Sequence, residues 1–101
     1  MAGEICVDSY VGTGAAVDVV LGWVPDYVRI IQTTDGNLTG EWFDGMNDGT
    51  SINTAADVTL NSSNGVSKLL DAVKGRGFTV GTAFSTNGKT YRFHAVRQTN
   101  R

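Results

Sequence analysis

From Thr90 to Val96 the chain alternates, with Tyr91, Phe93 and Ala95 on one side and Arg92, His94 and Val96 on the other. A period of two is that of a β-strand, not of a helix. This alternation constrains the fold strongly because of what precedes it. Ala83-x4-Gly88-Lys89-Thr90 has the outline of a nucleotide-binding P-loop. A P-loop wraps backbone N–H groups around phosphate at a strand-to-helix junction, with its Lys on the phosphates. A strand after Thr90, with eleven residues left, has no room for the crossover helix and parallel strands of such a fold. The motif also opens on Ala83 where Gly is usual. Asn87-Gly88 reads instead as a turn with positive φ. The segment then becomes a closing β-hairpin, Gly77 to Phe84 against Thr90 to Arg97, with Lys89 solvated.

Thirteen Gly and one Pro in 101 residues imply many tight turns, hence short strands. Helix formers are sparse, while Thr, Val and Asn are plentiful, a balance that favours β structure. The length suits one domain. The expected fold is all-β: a small antiparallel β-sandwich or jelly-roll-like domain over residues 1–101, with at most one short helix. An apolar content of 41% argues against disorder. A net charge of −2 argues against a nucleic-acid module. Arg92, Arg97 and Arg101 then read as a solvated strand face. No apolar run reaches the ~18 residues of a membrane span, and Met1 to Glu4 lacks the basic start of a secretory signal. Cys6, alone between Ile5 and Val7, reads as a buried, inert thiol.

Strands are expected at Glu4 to Val11, Ala16 to Leu21, Tyr27 to Gln32 and Thr39 to Phe43. Asp35-Gly36 marks a hairpin between the last two. Ser51 to Leu60 is a weak strand. Asn61-Ser62-Ser63-Asn64-Gly65 is a loop by composition. Val66 to Val73 has helical spacing for about two turns and stops at Gly75.

The remaining chemical motifs are incomplete. Gly12-Thr13-Gly14 starts a dinucleotide fingerprint whose third Gly is replaced by Val17. Asp44, Asn47 and Asp48 resemble the start of a calcium loop, but Met46 and Ala55 occupy ligand positions. Two Asx turns explain them as well. Asp26, Glu41 and Asp44 have no acid–base spacing, and the chain holds one His and one Cys. The expectation is therefore no enzyme, no catalytic residues, no cofactor and no metal.

Three segments together carry a resemblance. They are Gly22-Trp23-Val24-Pro25-Asp26-Tyr27-Val28-Arg29-Ile30, then Glu41-Trp42-Phe43-Asp44-Gly45-Met46, then the Gly77-Phe78-Thr79-Val80-Gly81 to Asn87-Gly88-Lys89-Thr90-Tyr91 ending. In these the chain resembles small structural proteins of tailed-bacteriophage virions and modules of phage tails and fibres, over most of residues 17–97. The resemblance implies a β-sandwich or jelly-roll-like fold that self-associates, and by analogy with capsid symmetry a homotrimer is the expected state. The resemblance leaves the virion part open; the first expectation is a capsid decoration (cement) protein that binds the major capsid protein and stabilises the head shell. It also implies a place in the virion after synthesis in the host cytoplasm, with no nucleic-acid or membrane partner. The alternative is a tail- or fibre-associated module contacting a host glycan or protein receptor, with Trp23, Trp42 and Tyr91 as stacking groups. Candidate interface residues are Trp23, Tyr27, Trp42, Phe43 and Tyr91. Strands apolar on both faces suit a sandwich whose outer side meets a neighbour.

Overall fold

The computed structural model describes residues 3–36, 38–55 and 57–98, so Asn37 and Arg101 lie outside the described residues. The alternation resolves into eight strands: β1 (Gly3–Val11), β2 (Val17–Val20), β3 (Tyr27–Gln32), β4 (Thr39–Phe43), β5 (Thr50–Thr54), β6 (Val58–Asp71), β7 (Gly75–Val80) and β8 (Thr90–Gln98). All pair antiparallel in one sheet of order β1-β8-β3-β4-β5-β6-β7-β2. The all-β expectation holds, and the helical content among the described residues is one 3-10 turn, Thr82–Phe84.

The sheet curls until its two ends face each other. The Phe78 ring on β7 meets the Phe93 ring on β8 edge-on, with centroids 5.2 Å apart. Four strands separate β7 from β8 in sheet order, so this contact spans the fold. Val28, Ile30, Trp42, Val66, Val80, Phe84, Tyr91 and Ala95 complete the buried cluster. A curled sheet thus makes both layers of a sandwich from one continuous ladder.

The corner that permits this lies inside β6. Its start, Val58 to Asn61, pairs with β5, and its end, Val66 to Asp71, pairs with β7. The register slips between Thr50 and Ser51 of β5, so residues 62–65 of β6 bulge. Asn64 there has φ 58°, a left-handed conformation that Asn tolerates better than most residues. Gly65 and Gly81 approach neighbouring backbone so closely that a Cβ would sit 2.7 Å from Thr50 C and 2.5 Å from Asn64 C, respectively. The Gly65 N–H donates to the Gly49 carbonyl (2.9 Å) and the Gly81 N–H to the Gly65 carbonyl (2.8 Å). A bulge and side-chain-free positions together let the sheet bend sharply. The expected loop at 61–65 is therefore a bulge within a strand. The helix expected over Val66 to Val73 is also corrected, being the end of β6 and its turn. Short apolar runs fit either period, and here pairing with β7 decides.

The closing hairpin needs a larger correction. β7 and β8 do not pair: β8 lies between β1 and β3, and β7 between β6 and β2. Residues 81–89 instead cross from one end of the sheet to the other. Phe84 from this crossover drops into the core against Gly40 of β4, where a Cβ would lie 2.1 Å from the Phe84 Cζ. The crossover is pinned by Gly12-Thr13-Gly14. The Gly12 N–H donates to the Lys89 carbonyl (2.8 Å), the Gly88 N–H to the Gly12 carbonyl (3.0 Å) and the Gly14 N–H to the Ser85 carbonyl (2.7 Å). The Tyr10 hydroxyl adds a bond to the Phe84 carbonyl (2.8 Å). The two segments that outline nucleotide loops in the sequence thus spend these N–H groups on each other.

Candidate docking surface

Residues of β1, β8, β3, β4, β5 and β6 that point away from the core form rows defined by register. The central row runs Val7, His94, Arg29, Glu41, Ile52, Leu60 across six strands. One flanking row is Ile5, Val96, Tyr27, Phe43, and the other is Ser9, Arg92, Ile31, Thr39, Thr54, Val58. At ~4.8 Å per strand the face measures about 24 Å along the curled ladder. Ile5, Val7, Phe43, Val58 and Leu60 on it are 45–71% exposed. These apolar groups lie mainly at the two sides of the face, Ile5 and Val7 on β1 and Val58 and Leu60 on β6, with Arg29 and Glu41 between them; exposed apolar patches of this kind mark candidate interaction sites.

Only part of the expected interface lies here. Tyr27 and Phe43 do, with ring centroids 4.9 Å apart. Trp42 and Tyr91 do not: they are 1% and 0% exposed and belong to the core. Each is one residue out of phase with the outer face. The Trp42 indole N–H donates to the Asn47 carbonyl (3.3 Å), and the Tyr91 hydroxyl accepts the Thr86 N–H (3.0 Å) beneath the stacked Tyr10 ring. Trp23 is half-buried at the end of the fold, with the Arg97 guanidinium 6.0 Å from its ring centre. Arg97 in turn holds Glu4 through two contacts, Nη2 to Oε1 at 3.0 Å and Nε to Oε2 at 2.6 Å. Cys6 is half-buried, not buried, because β1 is an edge strand. Ile5, Val7, Val58 and Leu60 escape a reading based on aromatics alone. Alternation along β1 was the available signal for the first pair.

The expected Asx loop is tied to Lys68. Its ammonium pairs with Asp44 (3.2 Å), and its N–H donates to Asp48 (3.0 Å). Lys89 is ion-paired with Asp35 at 3.3 Å, not merely solvated.

Tyr27 gives this face a pH response. Its hydroxyl donates to Glu41 Oε2 at 2.7 Å. Burial first, and then the Glu41 hydrogen bond, push its phenol up to about 12. The neutral phenol is held more tightly in the folded chain than in the unfolded one. Its stabilisation is therefore complete below pH 10 and is lost as the pH rises from 10 through about 12. Burial and the neighbouring Tyr91 push Tyr10 in the same direction. Tyr27→Phe is expected to cost about 1 kcal/mol at neutral pH. It should also flatten the alkaline fall in thermal midpoint, measured by melts on either side of that window.

Comparison with protein-family models, with curated proteins and with solved structures returns no match. The physical character of the outer face therefore carries the docking reading.

Proposed function

We propose that this chain is a structural protein of a tailed-bacteriophage virion, a capsid decoration protein that docks on the head shell through the outer face of β1, β8, β3, β4, β5 and β6. The observation that carries docking is the exposed apolar set Ile5, Val7, Phe43, Val58 and Leu60 on one register-aligned face. The virion setting rests on the resemblance of the Pro-Asp strand and the Gly77 to Arg97 segment. Many copies bound to a repeating shell would stabilise it through avidity, even if each contact is weak. Among the described residues, both ends of the sheet, β1 and β2, carry an unpaired edge. Open edges are available for strand pairing between copies, which supports self-association; a trimer is the state expected by analogy with capsid symmetry.

Cryo-electron microscopy of the virion that carries this chain tests the reading. Density on the capsid lattice with the outer face toward the shell is the expected result. Density confined to the tail would overturn it in favour of the receptor-contacting module. Leu60→Lys is expected to change stability by no more than about 0.5 kcal/mol, and Phe43→Lys to cost about 0.5–1.5 kcal/mol through the lost contact with the Tyr27 ring. Each should weaken binding to isolated heads about tenfold or more, as read by co-sedimentation.

A further inference from the structure

Arg29, Arg92 and His94 gather on the outer face, and none of them is in an ion pair among the described residues. Arg29 is directly opposite His94 across the β3–β8 ladder, and Arg92 is diagonal to it, opposite Ile31. All three line one open depression of about 260 Å³, walled on its apolar side by Val7 and Ile31.

The basic side chains elsewhere are mostly neutralised. Lys68, Lys74, Lys89 and Arg97 each hold a carboxylate within 3.3 Å. Arg29 and Arg92 are in none of the ion pairs among the described residues. The counter-ion nearest to Arg29 in register is Glu41, directly across β4. Its carboxylate accepts the Tyr27 hydroxyl and forms no ion pair with Arg29 among the described residues. A net charge of −2 on the whole chain makes this local positive site stand out further.

We infer that the depression takes a carboxylate, and specifically an Asp or Glu side chain on the surface of the protein to which the outer face docks; this rests on the docking reading above. Two guanidinium groups offer planar forks that match a carboxylate in a two-point contact. Val7 and Ile31 offer aliphatic surface to the methylene stem of an acidic side chain. The location beside Val7 on the outer face fits a charged contact enclosed by a docked surface, where desolvation strengthens it.

The test uses hexaglutamate as the probe, titrated into the isotope-labelled chain and followed at the arginine side-chain N–H groups. The expected result is a saturable shift at Arg29 and Arg92. An Arg29→Gln, Arg92→Gln double variant should bind at least about tenfold more weakly with an unchanged thermal midpoint. No saturable shift would overturn the inference. So would tighter binding of inorganic phosphate or of an acidic sugar such as N-acetylneuraminic acid. Failure of the docking reading leaves a different trace: a chain missing from the head surface whose Arg29 and Arg92 still respond to hexaglutamate. Conversely, a double variant that binds heads as tightly as the parent chain overturns the carboxylate site and leaves docking intact.

Discussion

Gly40→Ala is expected to destabilise the chain by about 3 kcal/mol, at the upper end of overpacking costs. The new methyl would lie 2.1 Å from Phe84 Cζ and 2.4 Å from Cε1. Phe84 is wholly buried. The converse change, Phe84→Ala, should cost roughly 3–5 kcal/mol through lost burial and a cavity over β4. The two effects must couple, because they concern one contact. With Phe84 reduced to Ala, the Gly40→Ala change should cost under about 1 kcal/mol, since the methyl then fills space the ring has left. Urea unfolding of the four chains gives the cycle. Should Phe84→Ala leave too little folded chain, Phe84→Leu supplies a milder background. Additive costs would mean that Phe84 and Gly40 are not in contact.

Phe78→Ala should have a comparable effect for a different reason. Its ring holds β7 against β8 from opposite ends of the sheet order, edge-on to Phe93. Losing it removes a buried aromatic, about 3–5 kcal/mol, including an edge-to-face contact worth about 0.5–1.5 kcal/mol. A domain of this size has a total stability of only ~5–15 kcal/mol. The variant is therefore expected to be partly unfolded at modest urea concentration. Phe78→Leu, which keeps much of the volume, should cost roughly 1–2 kcal/mol. A loss below about 1 kcal/mol for Phe78→Ala would mean that other contacts hold the curl.

Strand identity was largely legible from local pattern. Tyr27 to Gln32 and Thr39 to Phe43 are strands at those bounds, with Val28 and Ile30 buried as their alternation requires. Asp35-Gly36 lies in the turn between them, and Gly36 has φ 70°. Local reading failed where one segment could satisfy two periods. Val66, Leu69 and Leu70 fit a helix as well as a strand, and β7 alongside them decided the matter. The candidate site was half legible. Tyr27 and Phe43 are on the outer face, but Trp42 and Tyr91, chosen as rim aromatics, are core. An aromatic beside a turn can point either way, and only its phase against the ladder tells which.

The sequence by itself determined that this chain is all-β, where most of its strands run, and that Thr90 onward is a strand and not the helix of a nucleotide fold. Those properties depend on neighbours within a few residues, through backbone sterics and side-chain alternation. Tertiary structure alone decided that β7 and β8 sit apart, joined by a crossover and not by a hairpin. It also brought Gly12-Thr13-Gly14 onto Gly88-Lys89, set Phe84 on Gly40 and aligned Val7, His94, Arg29, Glu41, Ile52 and Leu60 into one row. Each of these joins residues far apart in the chain. Their pairing follows from which register buries the most apolar surface while satisfying the backbone, and no local window contains that comparison.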